Sequence, residues 1–268
     1  MNKKIRIGCA SGFWGDTDIA APQIIEKGNV DYLVCDYLSE VTMSILSRAK
    51  LKSSEHGYAK DFINHVGPLL KTIKQNKIKV ISNAGGVNLD ACKQALSNKA
   101  KKENVNLKII TVEGDDLSGI QKDLQKMSIK EIDSGKSLPE NLLSINAYLG
   151  APGIKRALDQ GADIVITGRC VDSALALGPL MFEFNWKENE YDLLASGSLA
   201  GHIIECGAQS TGGNFTDWEI IDNFEDIGFP IVEVEENGEF IVTKPEGTGG
   251  IVNFGTIAEQ LLYEIGDP

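Results

Sequence analysis

The chain lacks most of what would give an early answer about function. Histidine is scarce: only His56, His65 and His202 occur. The first two lie far along the chain from the third, so no zinc or iron ligand set is expected and no metal is assigned. The five cysteines, Cys9, Cys35, Cys92, Cys170 and Cys206, are scattered, odd in number and contain no CxxC pair. That excludes a disulfide framework and a zinc knuckle as organising devices. No apolar run approaches the roughly 20 residues a bilayer-spanning helix needs. The basic start at Lys3 and Lys4 is followed by Ile5-Arg6-Ile7, charged and too short for a signal-peptide core. A cytoplasmic protein without a membrane partner is expected, and the sequon Asn214-Phe215-Thr216 carries no weight without a secretory signal. Positive charge is also lacking: the formal net charge of −12 disfavours nucleic acid as a partner. Gly8-Cys9-Ala10-Ser11-Gly12 resembles a phosphate loop but has neither the GxGxxG spacing nor the Walker lysine, so no nucleotide cofactor is predicted.

What is present is a regular alternation. Short apolar strands at 4–10, 32–35, 79–82, 107–112 and 163–167 are separated by helical patterns at 18–27, 39–51, 61–75, 88–103 and 154–160. A further helix is expected from 173 to 182. Asp16 and Thr17 are expected to cap the first helix, and Pro68 to kink or restart the third. Alternation of this kind indicates an α/β fold: a mostly parallel sheet with crossover helices, Rossmann-like and doubly wound. Residues 142–149 read as a strand or a short helix, ended by Gly150-Ala151-Pro152. Asn237-Gly238, between 229–234 and 239–243, marks an antiparallel β-hairpin near the C-terminus, expected as an appendage. Residues 1–268 are read as one α/β domain, with the alternative of two lobes, 1–116 and 138–268, joined by a polar 117–137 segment that could serve as a lid or spacer. The chain stops directly after a helix of Ile257, Leu261, Leu262 and Ile265, so a downstream continuation is expected.

Ligands of open parallel sheets bind outside the carboxyl ends of the strands. Those ends carry Ser11, Asp16, Asp36, Asn83, Glu113, Asp115, Arg169 and Asp172, five of them next to a glycine. Each alone could be a turn former or cap; as a set they indicate a binding edge. Gly85 and Gly86 after Asn83 suggest an oxyanion cradle of backbone N–H groups, and Gly247-Thr248-Gly249-Gly250 has the same character. Arg169 and Asp172 are either an ion pair that ties down a loop or a clamp for a substrate carboxylate or phosphate.

The stretch from Gly201 to Asn214 combines small residues, the third histidine and a carboxylate three residues on. His202 and Glu205 share a helix face, as a satisfied core pair or as a base, and Gln209 and Asn214 follow in a small polar run. Cys206 is expected to be a small core residue, because a helix C-terminus disfavours a thiolate. Charge is uneven: 13 Lys/Arg against 4 Asp/Glu between Arg48 and Lys108, then nine acids and no base from Asp217 to Glu239. Both can be solvated faces; the alternatives are a basic rim that attracts an anionic substrate and an acidic docking arm that includes Glu233, Glu235 and Glu236.

The motifs Ile7-Gly8-Cys9-Ala10-Ser11-Gly12-Phe13-Trp14-Gly15-Asp16, Ser82-Asn83-Ala84-Gly85-Gly86-Val87-Asn88, Gly161 to Arg169, and Gly201 to Asn214 with Phe215-Thr216-Asp217-Trp218 together resemble the acyclic terpene utilisation (AtuA-like) family. The likeness runs essentially end to end. Where the family motif has proline after Val87-Asn88, this chain has Leu89. The resemblance implies bacterial breakdown of branched, terpenoid-type acids as acyl-CoA thioesters, with a lyase-type step proposed for the family and coenzyme A part of the substrate. It carries over no catalytic residue.

The resulting expectation is an enzyme of lyase or hydratase chemistry on a small acyl-CoA or related carboxylic acid. His202 or Glu205 would be the base, the Asn83–Gly86 loop the cradle, and Arg169 with Asp172 the clamp. The rivals are a non-catalytic subunit of an acyl-CoA carboxylase-type complex, and a nucleotide-dependent enzyme. A homo-oligomer is a further expectation.

Overall fold

The computed structural model describes residues 3–265. The close of the chain, residues 266–268, lies outside them, as do Met1 and Asn2. The chain builds one seven-stranded sheet in the order β4-β5-β3-β2-β1-β6-β7. β1 (Lys4–Cys9), β2 (Tyr32–Cys35), β3 (Lys79–Ser82), β5 (Ile164–Thr167) and β4 (Ile109–Val112) run parallel. β6 (Ile231–Glu235) and β7 (Phe240–Thr243) run antiparallel beside β1.

The parallel strands are apolar on both sides because both faces are covered. Leu33 and Cys35 of β2 enter one core, and Tyr32 and Val34 the other. α1 (Ala20–Lys27), α2 (Glu40–Lys52), α3 (Lys60–Val66), α4 (Leu70–Gln75) and α5 (Leu89–Lys102) supply the first core. After α5 the chain skips one position to β4 and then returns to β5. That reversal of direction places α7 (Ala151–Asp159), α8 (Ala174–Glu183) and α9 (Tyr191–Glu205) on the opposite face, as right-handed crossovers require. β5 therefore lies between β3 and β4, so strands from residues 1–116 and 138–268 interleave in the one sheet.

Pro68 restarts the third helix, one of its two expected effects: α3 and α4 are separate, joined by the 3₁₀ turn Gly67–Leu69. The sequence-based elements are otherwise recovered with four corrections. α1 begins at Ala20 without a side-chain cap. Asp16 instead accepts from the N–H groups of Gly12 and Thr17, which folds the preceding loop on itself. Residues 142–149 are neither strand nor helix. Their backbone laces two loops together: Ala147 N–H donates to Asp115, Leu149 N–H to Arg169, and Val171 N–H to Leu149. Pro152 does not end this segment but lies in the first turn of α7, where its missing N–H costs nothing.

The fourth correction concerns the hairpin, which is no appendage. β6 pairs with β1 over five residues, Lys4 opposite Glu235 through Gly8 opposite Ile231, and Ile231 and Val232 are fully buried. The acidic side chains of β6 are engaged: Glu233 pairs with Arg6 at 2.8 Å and Lys4 at 2.9 Å, and Glu235 with Lys4 at 3.2 Å. Two of the three acids expected to dock a partner are thus spent within the fold. The last helix, α10 (Phe254–Leu262), opens with a reciprocal capping box between Asn253 and Thr256. α6 (Gln121–Lys126) lies in the polar connection that follows β4. Among the described residues no helix is long and apolar enough to cross a membrane.

Because Ile231 packs in the core beneath α1, Ile231→Ala is expected to lower global stability by about 2–5 kcal/mol. Urea unfolding followed by circular dichroism and tryptophan fluorescence should give one coincident transition; a separate early transition would mean that the hairpin folds independently.

Candidate functional site

Four strand ends and one helix end converge at the carboxyl edge of the sheet. β2 delivers Asp36, 3% exposed. Its N–H donates to the carbonyl of Ser11, the residue that follows β1 by two, at 2.9 Å. One carboxylate oxygen, Oδ1, accepts from Asn83 Nδ2 at 2.6 Å and from Leu38 N–H at 3.2 Å. The other, Oδ2, has no hydrogen-bond partner. Asn83, fully buried after β3, also accepts from Tyr37 N–H, so its amide fixes both sides of Asp36. Ser11 is buried and donates to the Phe13 carbonyl.

β5 is followed by Arg169, 4% exposed. Asp115, from the loop after β4, receives its backbone N–H. The guanidinium donates to the Leu38 carbonyl at 2.8 Å, to Asp172 Oδ1 at 2.6 Å and to Glu40 Oε1 at 3.4 Å. It also lies 4.1 Å from the centre of the Tyr148 ring, an attractive cation–π contact. Arg169 is thus a buried tie that holds Asp172 beside β2.

Glu205 and His202 come from the last turn of α9. Two glycines allow this helix to approach so closely. A Cβ on Gly201 would lie 2.6 Å from the Ser173 carbonyl oxygen, and one on Gly12 would lie 2.5 Å from the Cys206 carbonyl carbon. Any side chain at either position would push α9 away from the residue before α8 or from the loop after β1. The approach places an oxygen of Glu205 with one each from Asp36 and Asp172, all within 4.8 Å of one another. His202 Nδ1 is 3.3 Å from Glu205 and 3.9 Å from Glu264, and its Nε2 donates to the Leu261 carbonyl at 3.1 Å.

The electrostatics follow from this crowding. Burial, then the charges of Asp172 and Glu205, holds the Asp36 carboxyl well above the usual carboxylate range. Burial also raises Asp172, outweighing the attraction of Arg169. Glu205 is raised by burial against the opposing hydrogen bond from His202. His202 is raised in turn, chiefly by its bond to Glu205. Carboxylates that crowd each other in a dry site hold protons that exposed ones would release.

A family model described as acyclic terpene utilisation family protein AtuA matches residues 5–268. The chain belongs to that family. No curated protein and no solved structure matched it. In this AtuA-family chain, several expected roles change once the partners are visible. The N–H groups of residues 84–88 are all spent: Ala84 on Ser82, Gly85 on Thr167, Gly86 on Asn83, Val87 on Gly57 and Asn88 on Gly85. Gly85 and Gly86 therefore form a satisfied turn, not an oxyanion cradle. Gly249 and Gly250 N–H groups are likewise taken, by Asp226 and Asp222.

Asp16 bonds its own loop. Gln209 is half-buried in the 3₁₀ turn Gly207–Thr211 and Asn214 is exposed beyond it; neither hydrogen-bonds a member of the cluster. Cys206 is half-buried beside the Tyr263 hydroxyl, not a core residue. Burial and then Glu205 push its thiol up to about 12, so it is no ready nucleophile. What the sequence conceals is the meeting of Asp36 and Asp172 with Glu205. The approach of α9 creates it, and the small residues Gly197, Ala200 and Gly201 are its one visible signal.

Two outcomes are expected. Gly201→Ala should cost about 1–3 kcal/mol by overpacking against Ser173, read as a lower Tm. The raised carboxyls make the folded chain hold protons more tightly than the unfolded one. Their contribution is full below the ordinary carboxylate range and is lost as pH rises through the raised values. In chelator-treated buffer Tm should therefore fall from about pH 5 upward, and Asp36→Asn should flatten that fall.

Proposed function

We propose that this AtuA-family protein is an enzyme of branched, acyclic-terpene-type acid breakdown, with its reaction centre at the Asp36, Asp172, Glu205 and His202 cluster. The observation that carries the proposal is the buried, unpartnered Asp36 oxygen, in a cluster whose three carboxyls approach within 4.8 Å. A fold gains no stability from that arrangement, since an unpaired buried polar atom costs free energy. Carboxyls whose proton affinity is raised by burial and by one another are suited to general acid and base work.

The reaction class that fits is proton transfer on an acyl-CoA or related carboxylic acid, as lyase or hydratase chemistry. A base removes a proton from the substrate, a bond beside the carbonyl breaks or forms, and a neighbouring acid returns a proton. Glu205 is the better base than His202. Both nitrogens of His202 face acceptors, Glu205 and the Leu261 carbonyl, so its ring serves as a proton reservoir for Glu205. Asp36 holds the proton to be returned. Arg169 acts as a positioning residue through Asp172, since Asp172, Leu38 and Glu40 occupy its guanidinium.

The reading of the acidic hairpin as a docking arm loses support from the pairing of Glu233 and Glu235 with Lys4 and Arg6. The test is turnover of a panel of branched 3-hydroxyacyl-CoA and enoyl-CoA thioesters, followed by mass spectrometry of the products. Glu205→Gln should lower kcat by about 10²–10⁴-fold, with Tm unchanged or higher, and His202→Ala by less. Full turnover by Glu205→Gln would remove the assignment.

A further inference from the structure

The carboxylate cluster is only partly matched by positive charge: Arg169 pairs with Asp172 and His202 lies 3.3 Å from Glu205, while Asp36 has no ion-pair partner among the described residues. Asp36, Asp172 and Glu205 each place an oxygen within 4.8 Å of the other two, and Glu205 also belongs to a second such group with His202 and Glu264. Arg169, the cation that touches the cluster, is directed at Asp172, Glu40 and a carbonyl, and among the described residues no cationic side chain forms an ion pair with Asp36. Asp36 is 97% buried, rigidly held through Oδ1 by Asn83 and Leu38, and free at Oδ2. A fixed, dry, unpartnered oxygen with two further carboxylates in reach is the geometry of a ligand waiting for a cation.

From these observations we infer that Asp36, Asp172 and Glu205 bind one divalent cation of the Mg²⁺ or Mn²⁺ class, with Asp36 Oδ2 as the anchoring ligand. An all-carboxylate set of this kind suits hard cations that keep several waters. His202, held to Glu205 and to a backbone carbonyl, stays outside the ligand set and orients Glu205 through its hydrogen bond. The inference rests on the proposed reaction centre and describes its loaded state: with the cation in place Asp36 and Glu205 serve as ligands and give up the protons they hold in the acid–base reading, and His202 is the proton-carrying group left beside them. Since the Gly85 and Gly86 N–H groups are spent on the Thr167 and Asn83 carbonyls, this loop offers no backbone cradle for the charge that develops on a thioester or carboxyl oxygen. A cation bound at the unpartnered Oδ2 of Asp36 would accept that oxygen as a further ligand and stabilise the negative charge. No oxidation or reduction is involved: the cation polarises the oxygen and leaves with its charge unchanged.

The test uses the full chain, stripped with chelator and without substrate, titrated with Mn²⁺ alone and followed by electron paramagnetic resonance of the free ion. One Mn²⁺ per chain is expected to disappear from the free signal, with Mg²⁺ competing for the same site. Asp36→Asn and Asp172→Asn should each weaken binding at least tenfold, whereas Asp18→Asn, at an exposed position outside the cluster, should leave it unchanged. Binding should strengthen with pH and release protons, because the cation replaces protons held by the cluster. Absence of stoichiometric Mn²⁺ binding at millimolar ion would overturn the inference in the wild-type protein itself, whatever the folding of the variants. So would binding that neither variant weakens, which would place the ion elsewhere on the acidic surface. Because no turnover is measured, failure here leaves the acid–base proposal standing, and tight Mn²⁺ binding by a chain that turns over no thioester would support the ion site alone.

Discussion

Like charges held close together in a crevice set the terms for the rest of this molecule. Two carboxylates about 4 Å apart repel by about 4 kcal/mol at the effective dielectric of a protein site, and here three share one space. The fold restrains them with fixed geometry. Asn83 holds Asp36 from one side, Arg169 draws Asp172 in, and the contacts at Gly12 and Gly201 press α9 against both. Each restraint comes from a different element, so the crevice exists only when β1, β2, β3, β5 and α9 are all in place. The raised proton affinities of Asp36, Asp172 and Glu205 are the chemical expression of that crowding.

The polar loop layer above the sheet is tied to the same edge. Tyr148, in the irregular segment after the 117–137 connection, stacks on Arg169 and donates its hydroxyl to Glu40. Its neighbours Ala147 and Leu149 bond the loops that follow β4 and β5. A segment without regular structure therefore acts as the outer wall of the site. Its backbone groups are satisfied by the loops it covers, the condition a covered backbone must meet.

Much of the architecture is legible in the amino-acid order, because buried parallel strands such as 32–35 and 79–82 are apolar throughout and amphipathic helices repeat every three or four residues. Asn237-Gly238 announces its hairpin for a local reason, the turn's need for positive φ. The partner of that hairpin was not legible, since pairing of β6 with β1 is set by distant contacts. The strand-end rule found Asp36, Asn83, Arg169 and Asp172, yet it could not tell which would meet. It also made the Gly85 and Gly86 turn look like an anion cradle, because the acceptors that satisfy it, at Thr167, Asn83 and Gly57, lie elsewhere in the chain or close its own turn. His202 looked like a base for the same reason: the Leu261 carbonyl that occupies its ring nitrogen comes from α10, 59 residues away.

The insertion of β6 against β1 also has a consequence for the order in which the molecule can be made. β1 leaves the ribosome well before β6, and one of its edges stays unpaired until β6 arrives; 229 residues separate Lys4 from Glu233. At roughly 5–20 residues per second of synthesis, that wait is on the order of 10 to 50 seconds. The nascent chain can cover its first core face with α1 to α5 in that time, yet the open edge of a strand is a template for pairing with other chains. Arg6 and Lys4, which later meet Glu233 and Glu235, lie along that edge. Before their acidic partners exist, the same charges discourage a neighbouring nascent chain from adding its own strand there.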